Sequence, residues 1–276
     1  MKMDITFGQY VEGNSILHRL DPRAKLIIAI LYVVAIFLAN NVFSFALIVA
    51  SAVLITVLSG ISPRIIGRGI RPVLILIVFT AVINIFFVRG DHPLVNFYFI
   101  HIYREGLVNA AFIIIRIVVL IVCTSLFLTY TTTPIALTDG LEQLLAPLAK
   151  IKVPVHEFSM MMTIALRFIP TLIEETEKIM NAQKARGADF SSGGLIKRAR
   201  ALIPVLIPLF ISAFRRAGDL ATAMECRCYT GGKGRTRMNV LRAGVKDFVF
   251  LFGVVALGAG VVLLNKFAGG YRFGLY

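Results

Sequence analysis

Charged residues are scarce in this sequence. Asp, Glu, Lys and Arg make up 16% of its 276 residues, where an ordinary soluble domain carries about 25%. Apolar residues reach 58%, which excludes both disorder and an ordinary water-soluble domain. Cysteine is also rare: three residues cannot build a disulfide framework, and they sit most easily on the reducing side of a membrane. Tryptophan is absent, which excludes nothing. Acidic residues number 15 against 29 basic ones, for a formal net charge of +14. In a soluble chain that excess would suggest nucleic acid. In one this apolar it sets membrane orientation, and no nucleic-acid partner is expected. The composition is that of an integral membrane protein.

What is present is a series of long apolar runs. A helix crossing the hydrocarbon core needs about 20 mostly apolar residues. The first candidate opens at Asp21-Pro22-Arg23, where Asp caps the helix and Pro fits its first turn. Its apolar run, Leu26 to Ala39, breaks at Asn40-Asn41 and resumes from Val42 to Leu58, so the two helices form an antiparallel hairpin. Further spans are expected from Pro72 to Val88, Leu107 to Tyr130 and Phe248 to Leu264. No secretory signal peptide is expected, because the first run starts late and is paired at once with a second.

Orientation follows from the Lys and Arg of the connections. The head carries Lys2, Arg19, Arg23 and Lys25, the Asn40-Asn41 turn carries none, and the next link has Arg64, Arg68 and Arg71 without an acid. Between the third and fourth runs Arg89 and Arg104 are balanced by Asp91 and Glu105. The stretch from Thr131 to Lys246 holds 17 basic and 9 acidic residues. Alternation places the N-terminus and this long stretch in the cytoplasm and the C-terminus outside, with Lys266 and Arg272 dissenting. The expected fold is an all-α integral membrane protein with about five transmembrane helices and a cytoplasmic domain of long helices. Its expected divisions are 1–130, an N-terminal cytoplasmic segment and four spans; 131–246, the cytoplasmic domain; and 247–276, the last span and an external tail.

The membrane part lacks chemistry. Arg116 is its clearest intramembrane charge, in a place that costs roughly 2.5–3.5 kcal/mol on insertion scales. It either contacts a partner helix or lipid phosphate, or lies near enough an interface to snorkel. No span holds the cluster of Asp, Glu or His that a proton relay or metal path needs. His92 and His101, on the outer loop, could bind a metal, but solvated loop histidines are the plainer reading. No metal or other cofactor is expected.

Three cytoplasmic helices are expected: Pro134 to Ala149, Val155 to Arg186, and Leu195 to about Arg227. The middle one is apolar at Phe158, Met161, Met162, Ala165, Phe168, Ile169 and Leu172, then thins out among Glu174, Glu175, Glu177 and Lys178. Its first half is expected to be buried against other helices or a membrane surface, and its second half to emerge into water, with a kink at Pro170. The third is apolar from Leu202 to Phe214, with Pro204 and Pro208, before Arg215-Arg216 and Asp219. The Met and Phe residues of these two helices read as core packing ahead of a methionine-rich partner groove.

These two long helices end alike. One closes with Ala182-Gln183-Lys184-Ala185-Arg186-Gly187 and the other with Ala223-Met224-Glu225-Cys226-Arg227-Cys228. Glycines follow both, where helices stop. An Arg at a helix C-terminus complements the macrodipole, and for one copy that is sufficient explanation. Two copies, each flanked by small residues that clear the approach to the guanidinium, suggest two similar receptor sites on partner proteins. Arg suits this role through its planar fork and its enrichment at interface hot spots.

With these residues the sequence resembles the transmembrane component of an energy-coupling factor transporter, the EcfT family. The matching blocks are Asn14-Ser15 with Leu17 to Lys25, Ala165 to Thr171, the two Arg motifs, and Ser212-Ala213-Phe214-Arg215-Arg216-Ala217 between them. The resemblance covers nearly the whole chain. It implies a non-catalytic scaffold in the cell membrane whose cytoplasmic coupling helices dock into two ABC-type ATPases. Docking would fall to Ala185, Arg186, Gly187, Cys226, Arg227 and Cys228. It further implies a separate substrate-binding membrane protein, the S component, and uptake of a vitamin or similar micronutrient. The second motif departs from the pattern, since Cys228 stands where glycine is expected, and any role for glycine's backbone freedom there is in doubt. A metal at Cys226 and Cys228 would need further ligands that are not nearby.

Three other readings compete. A dedicated cobalt, nickel or biotin permease would share the architecture. A lipid enzyme would have to be built from Asp139, Glu142, His156 and Glu157, which show no recognised arrangement. Gly231-Gly232-Lys233-Gly234 is not a phosphate-binding loop, because Gly234 follows the lysine where Ser or Thr is required.

Overall fold

The computed structural model of the chain describes residues 10–87, 93–97, 100–190, 192, 194–231, 241 and 243–267. Lys2, Arg89, Asp91, His92, Gly232-Lys233-Gly234 and Arg272 lie outside the described residues. The chain divides into two compact units, Met1–Gln143 with Val240–Tyr276, and Leu144–Asn239.

The first unit is a helical bundle. Asp21 caps α1 (Pro22–Leu38), its Oδ1 accepting the Arg23 N–H at 2.9 Å. After a tight turn come α2 (Val42–Ser59) and α3 (Pro63–Phe87). The third helix begins nine residues earlier than the sequence suggested: Pro63 starts it, Pro72 lies inside it, and Arg64, Arg68 and Arg71 sit on helix rather than on a loop. Two short strands, β1 (Pro93–Phe97) and β2 (Ile100–Tyr103), pair antiparallel in the next connection, so His101 lies on a strand of this hairpin. Then α4 (Arg104–Thr124) continues as a π-helical stretch, Ser125–Tyr130. The last two helices with a place in this unit are α5 (Pro134–Leu145), which reaches the boundary, and α8 (Val245–Phe267). A Cβ on Gly140 would lie 3.0 Å from that of Pro22, so glycine lets α5 close on the start of α1.

Tyr32, Ile28, Ile36, Ile48, Leu126, Phe127 and Tyr130 form the bundle's core. Large apolar side chains also cover its outside, with Ile75 80% and Phe252 75% exposed, as suits a surface that meets lipid.

Polar ties join α1 to α8 at both ends. At the first, Asp247 accepts the Asp21 N–H at 2.8 Å and the Gly244 N–H at 2.6 Å, while Arg23 donates to the Leu241 carbonyl at 2.7 Å. At the other, Asn265 accepts from Ser44 at 2.8 Å and donates to the Leu38 carbonyl at 2.5 Å. The two helices therefore run parallel. Arg116 closes the same far end: its guanidinium donates to Ala39 O, at the C-cap of α1, at 2.8 Å and lies 5.5 Å over the Phe45 ring. It serves as a cap and cation–π partner for neighbouring helices of this chain.

Lys25 is fully buried. Its ammonium donates to the Thr131 carbonyl at 2.7 Å and to Thr132 Oγ1 at 3.2 Å, and the Val11 N–H donates to Tyr130 O at 3.0 Å. The end of α4, the start of α1 and the start of α8 thus share one side of the bundle.

Among the described residues five helices are long and apolar enough to cross a membrane: α2, α3, α4 with its π stretch, α7 (Leu195–Cys226) of the second unit, and α8. The number matches the sequence expectation, but α7 stands where α1 was expected. With 17 residues, α1 is about 25 Å long and at the short end of the spanning range. The charge-free run of α7, Ala201 to Phe214, covers about 21 Å and that of α1, Leu26 to Leu38, about 20 Å, so length does not separate the two helices. Thr131 and Leu241 both lie on the shared side of the first unit's bundle. The fold is that of an all-α integral membrane protein, relieved only by the hairpin among the described residues.

Asp247→Ala leaves the buried Asp21 amide and the part-buried Gly244 amide without their acceptor and should cost about 2 kcal/mol. A lowered unfolding midpoint in detergent, with Asp247→Asn falling between it and the parent, is the expected result; an unchanged midpoint would remove the tie from the account.

Candidate functional site

The second unit contains a short 3-10 helix (Ala146–Ile151), α6 (Val155–Ala185) and α7. Both long helices run on through prolines, Pro170 in α6 and Pro204 and Pro208 in α7. Only Val155 and Ser159 of α6 are buried, whereas Phe158, Met161 and Met162 are 40–58% exposed. The first half of α6, expected to be buried, therefore leaves large apolar side chains exposed. On α7, Leu202, Ile203, Leu206, Ile207, Phe210 and Phe214 are likewise exposed.

The two helices meet at a polar contact. Glu175 of α6 accepts from Arg216 Nη2 at 2.6 Å through one carboxylate oxygen and from Ser212 Oγ at 2.5 Å through the other. Ser212 and Arg216, four residues apart on α7, share a face. The sequence reading assigned Glu175 to a water-exposed half-helix, but it is half-buried and paired.

At their ends the two helices carry the same backbone structure. In α6 the Gly187 N–H donates to Lys184 O at 2.9 Å and the Ala188 N–H to Gln183 O at 3.0 Å. In α7 the Cys228 N–H donates to Glu225 O at 2.8 Å and the Tyr229 N–H to Met224 O at 3.1 Å. This pair of bonds satisfies the carbonyls that a helix end leaves open and requires a left-handed residue just past the cap. Gly187 supplies it with φ 89° and Cys228 with φ 53°. Position 228 thus adopts the conformation glycine favours, without a glycine. Arg186 and Arg227 are the cap residues themselves.

Ala185, Arg186, Gly187, Cys226, Arg227 and Cys228 are all exposed. Both cysteines are free thiols, and no group of three or more His, Cys, Asp or Glu residues able to hold a metal exists among the described residues. Asp139 and Glu142 lie on α5, and His156 and Glu157 in the first turn of α6.

Residues 13–238 match the family model CbiQ, described as cobalt transport protein. Relatives named energy-coupling factor transporter transmembrane protein EcfT are similar over nearly their whole length. That of Clostridium kluyveri is 54% identical over 250 residues, 90% of this chain and 92% of the relative. That of Ruminiclostridium cellulolyticum is 55% identical over 267 residues, 97% and 99% of the two chains. That of Bacillus subtilis is 46% identical over 265 residues, 96% and 100%.

A side chain in the left-handed region costs about 1 kcal/mol. Cys228→Gly should therefore tighten the α7 end and Gly187→Ala loosen the α6 end by that amount. Amide hydrogen exchange at Tyr229 should slow about fivefold in the first variant, and exchange at Ala188 quicken about fivefold in the second. Unchanged exchange in both would mean that the left-handed residue does not limit either cap.

Proposed function

The chain belongs to the CbiQ family, in the branch of the energy-coupling factor transporter transmembrane proteins, and from that premise we propose that it couples two cytoplasmic ABC-type ATPases to a substrate-binding S component. Arg186 and Arg227 are the docking contacts, one for each ATPase, and Ala185, Gly187, Cys226 and Cys228 keep the space around them open. The observation that carries this reading is the duplicated tip: two long helices, two identical caps, two exposed guanidiniums. A macrodipole role alone gives no reason for small neighbours at both ends. ATP hydrolysis belongs to the partners, and this subunit transmits their movement.

The exposed Phe and Met face of α6 and the apolar face of α7 offer surface for the S component or the membrane boundary. The functional divisions are 1–130, 131–246 and 247–276, with the N-terminus and the coupling helices in the cytoplasm and the C-terminus outside. The excess of Lys and Arg from Thr131 to Lys246 and the return of the chain to one side of the bundle support this orientation. Vitamin or micronutrient uptake is the proposed task. A dedicated cobalt permease is the second reading, favoured by the description of the family model. The names of relatives similar along the whole chain favour the first.

Truncating a central interface Arg commonly costs about 2 kcal/mol or more, a loss of about thirtyfold in affinity. Arg186→Ala and Arg227→Ala should each weaken recovery of the ATPases with the tagged chain, and the double variant should abolish uptake. Normal ATPase stoichiometry and normal uptake in the double variant would refute the assignment. For orientation, a membrane-impermeant maleimide should label Cys226 and Cys228 in inside-out vesicles and leave them untouched in intact cells; the reverse pattern would invert the topology.

A further inference from the structure

The contact between α6 and α7 stands in a definite numerical relation to the two tips. Glu175 and Arg186 are eleven positions apart, and so are Arg216 and Arg227. At 1.5 Å per residue each arm is about 16 Å long. Eleven residues also make three helical turns plus about 20°, so each tip Arg returns almost to the face that carries its half of the contact. Pro170, Pro204 and Pro208 all lie on the other side of the contact, leaving both arms free of proline. Two regular arms of equal length and equal rotational phase therefore leave one junction.

We propose that Glu175, Ser212 and Arg216 are positioning residues that pin this junction, fixing the distance and rotational phase between the guanidiniums of Arg186 and Arg227. The proposal rests on the reading of those two arginines as docking contacts. The pin acts through geometry rather than strength. Its side chains are 22% and 37% exposed for Glu175 and Arg216, and such pairs contribute little to stability. Both carboxylate oxygens are nevertheless engaged, by donors one turn apart on α7, and this selects one register. Flexible apolar side chains at a crossing tolerate several. A slip of one turn would shift one tip by about 5.4 Å against the other and break the equality of the arms.

The test uses the full complex in lipid. Spin labels are attached through an azide-bearing amino acid at Asn181 and Ala221, one exposed site on each arm, leaving the native thiols in place. Glu175→Arg sets two guanidiniums against each other and should broaden the distance distribution and lower uptake per ATP hydrolysed about tenfold. Adding Arg216→Glu reverses the pair and should restore both. Arg216→Lys, which keeps the charge and loses the fork, should broaden the distribution partly and serves where Glu175→Arg fails to assemble. An unchanged distribution in the single variants, no narrowing on charge reversal, or full coupling despite a broadened distribution would each overturn the proposal. Failure of the docking reading is told apart by Arg186→Ala and Arg227→Ala, which would then retain the ATPases while the distances still report on the pin.

Discussion

The bundle depends on hydrogen bonds at the two ends of the α1–α8 pair. Between apolar helices in lipid there is no hydrophobic force to choose neighbours, and packing alone leaves register loosely specified. Asp247 at one end and Asn265 at the other supply what packing does not, binding backbone groups of the α1 segment that have no helical partner of their own. Tied at both ends, the two helices must run in the same direction. Three helices of the same unit, α2, α3 and α4, follow α1 in the chain, and Thr131, just past the end of α4, is back on the side where α1 starts. The buried Lys25 ammonium, held by Thr131 and Thr132, secures that return.

Features with a local cause were legible in the sequence. The Asp21 cap and Pro22 at the start of α1, the stops of α6 and α7, and the duplicated Arg tips all depend on residues within a few positions of one another. Features with a distant cause were not. Lys25 reads as an ordinary basic residue beside the membrane because Thr131 and Thr132, which bury and bind its ammonium, lie more than a hundred residues away. Asp247 has no visible role in the sequence because the Asp21 amide it binds lies 226 residues away. Arg116 allows two explanations from sequence alone, and the Ala39 carbonyl and the Phe45 ring beside it select a contact with neighbouring helices. Hydropathy placed the start of α3 at Pro72 because it sees the apolar run and not the two charged turns that precede it. The same measure admits α7 among the candidate spans and passes over α1, since it weighs length and composition alone.

The candidate site shows the same division. That two Arg residues cap two helices could be read from their neighbours, and so could the departure at Cys228. What could not be read is that Cys228 adopts the left-handed conformation nonetheless: the two cap hydrogen bonds demand it, and a thiol side chain is small enough to be held there. Glu175 looked like one acid among several because its partners belong to the next helix. The spacing of eleven residues to each tip was present in the sequence, but it acquires meaning only once the contact identifies the residues from which to count.

The return of the chain to one side of the bundle has a consequence for how such a protein can change. Everything between Thr131 and Leu241 leaves and rejoins the membrane part at neighbouring points, so in topological terms it is a cassette. Its length, the pitch of its rods and the chemistry of their tips can be exchanged for those of another without rethreading a transmembrane helix. One membrane frame can in this way be refitted with a different set of helices, provided that the two anchorage points stay where Lys25 and Arg23 hold them.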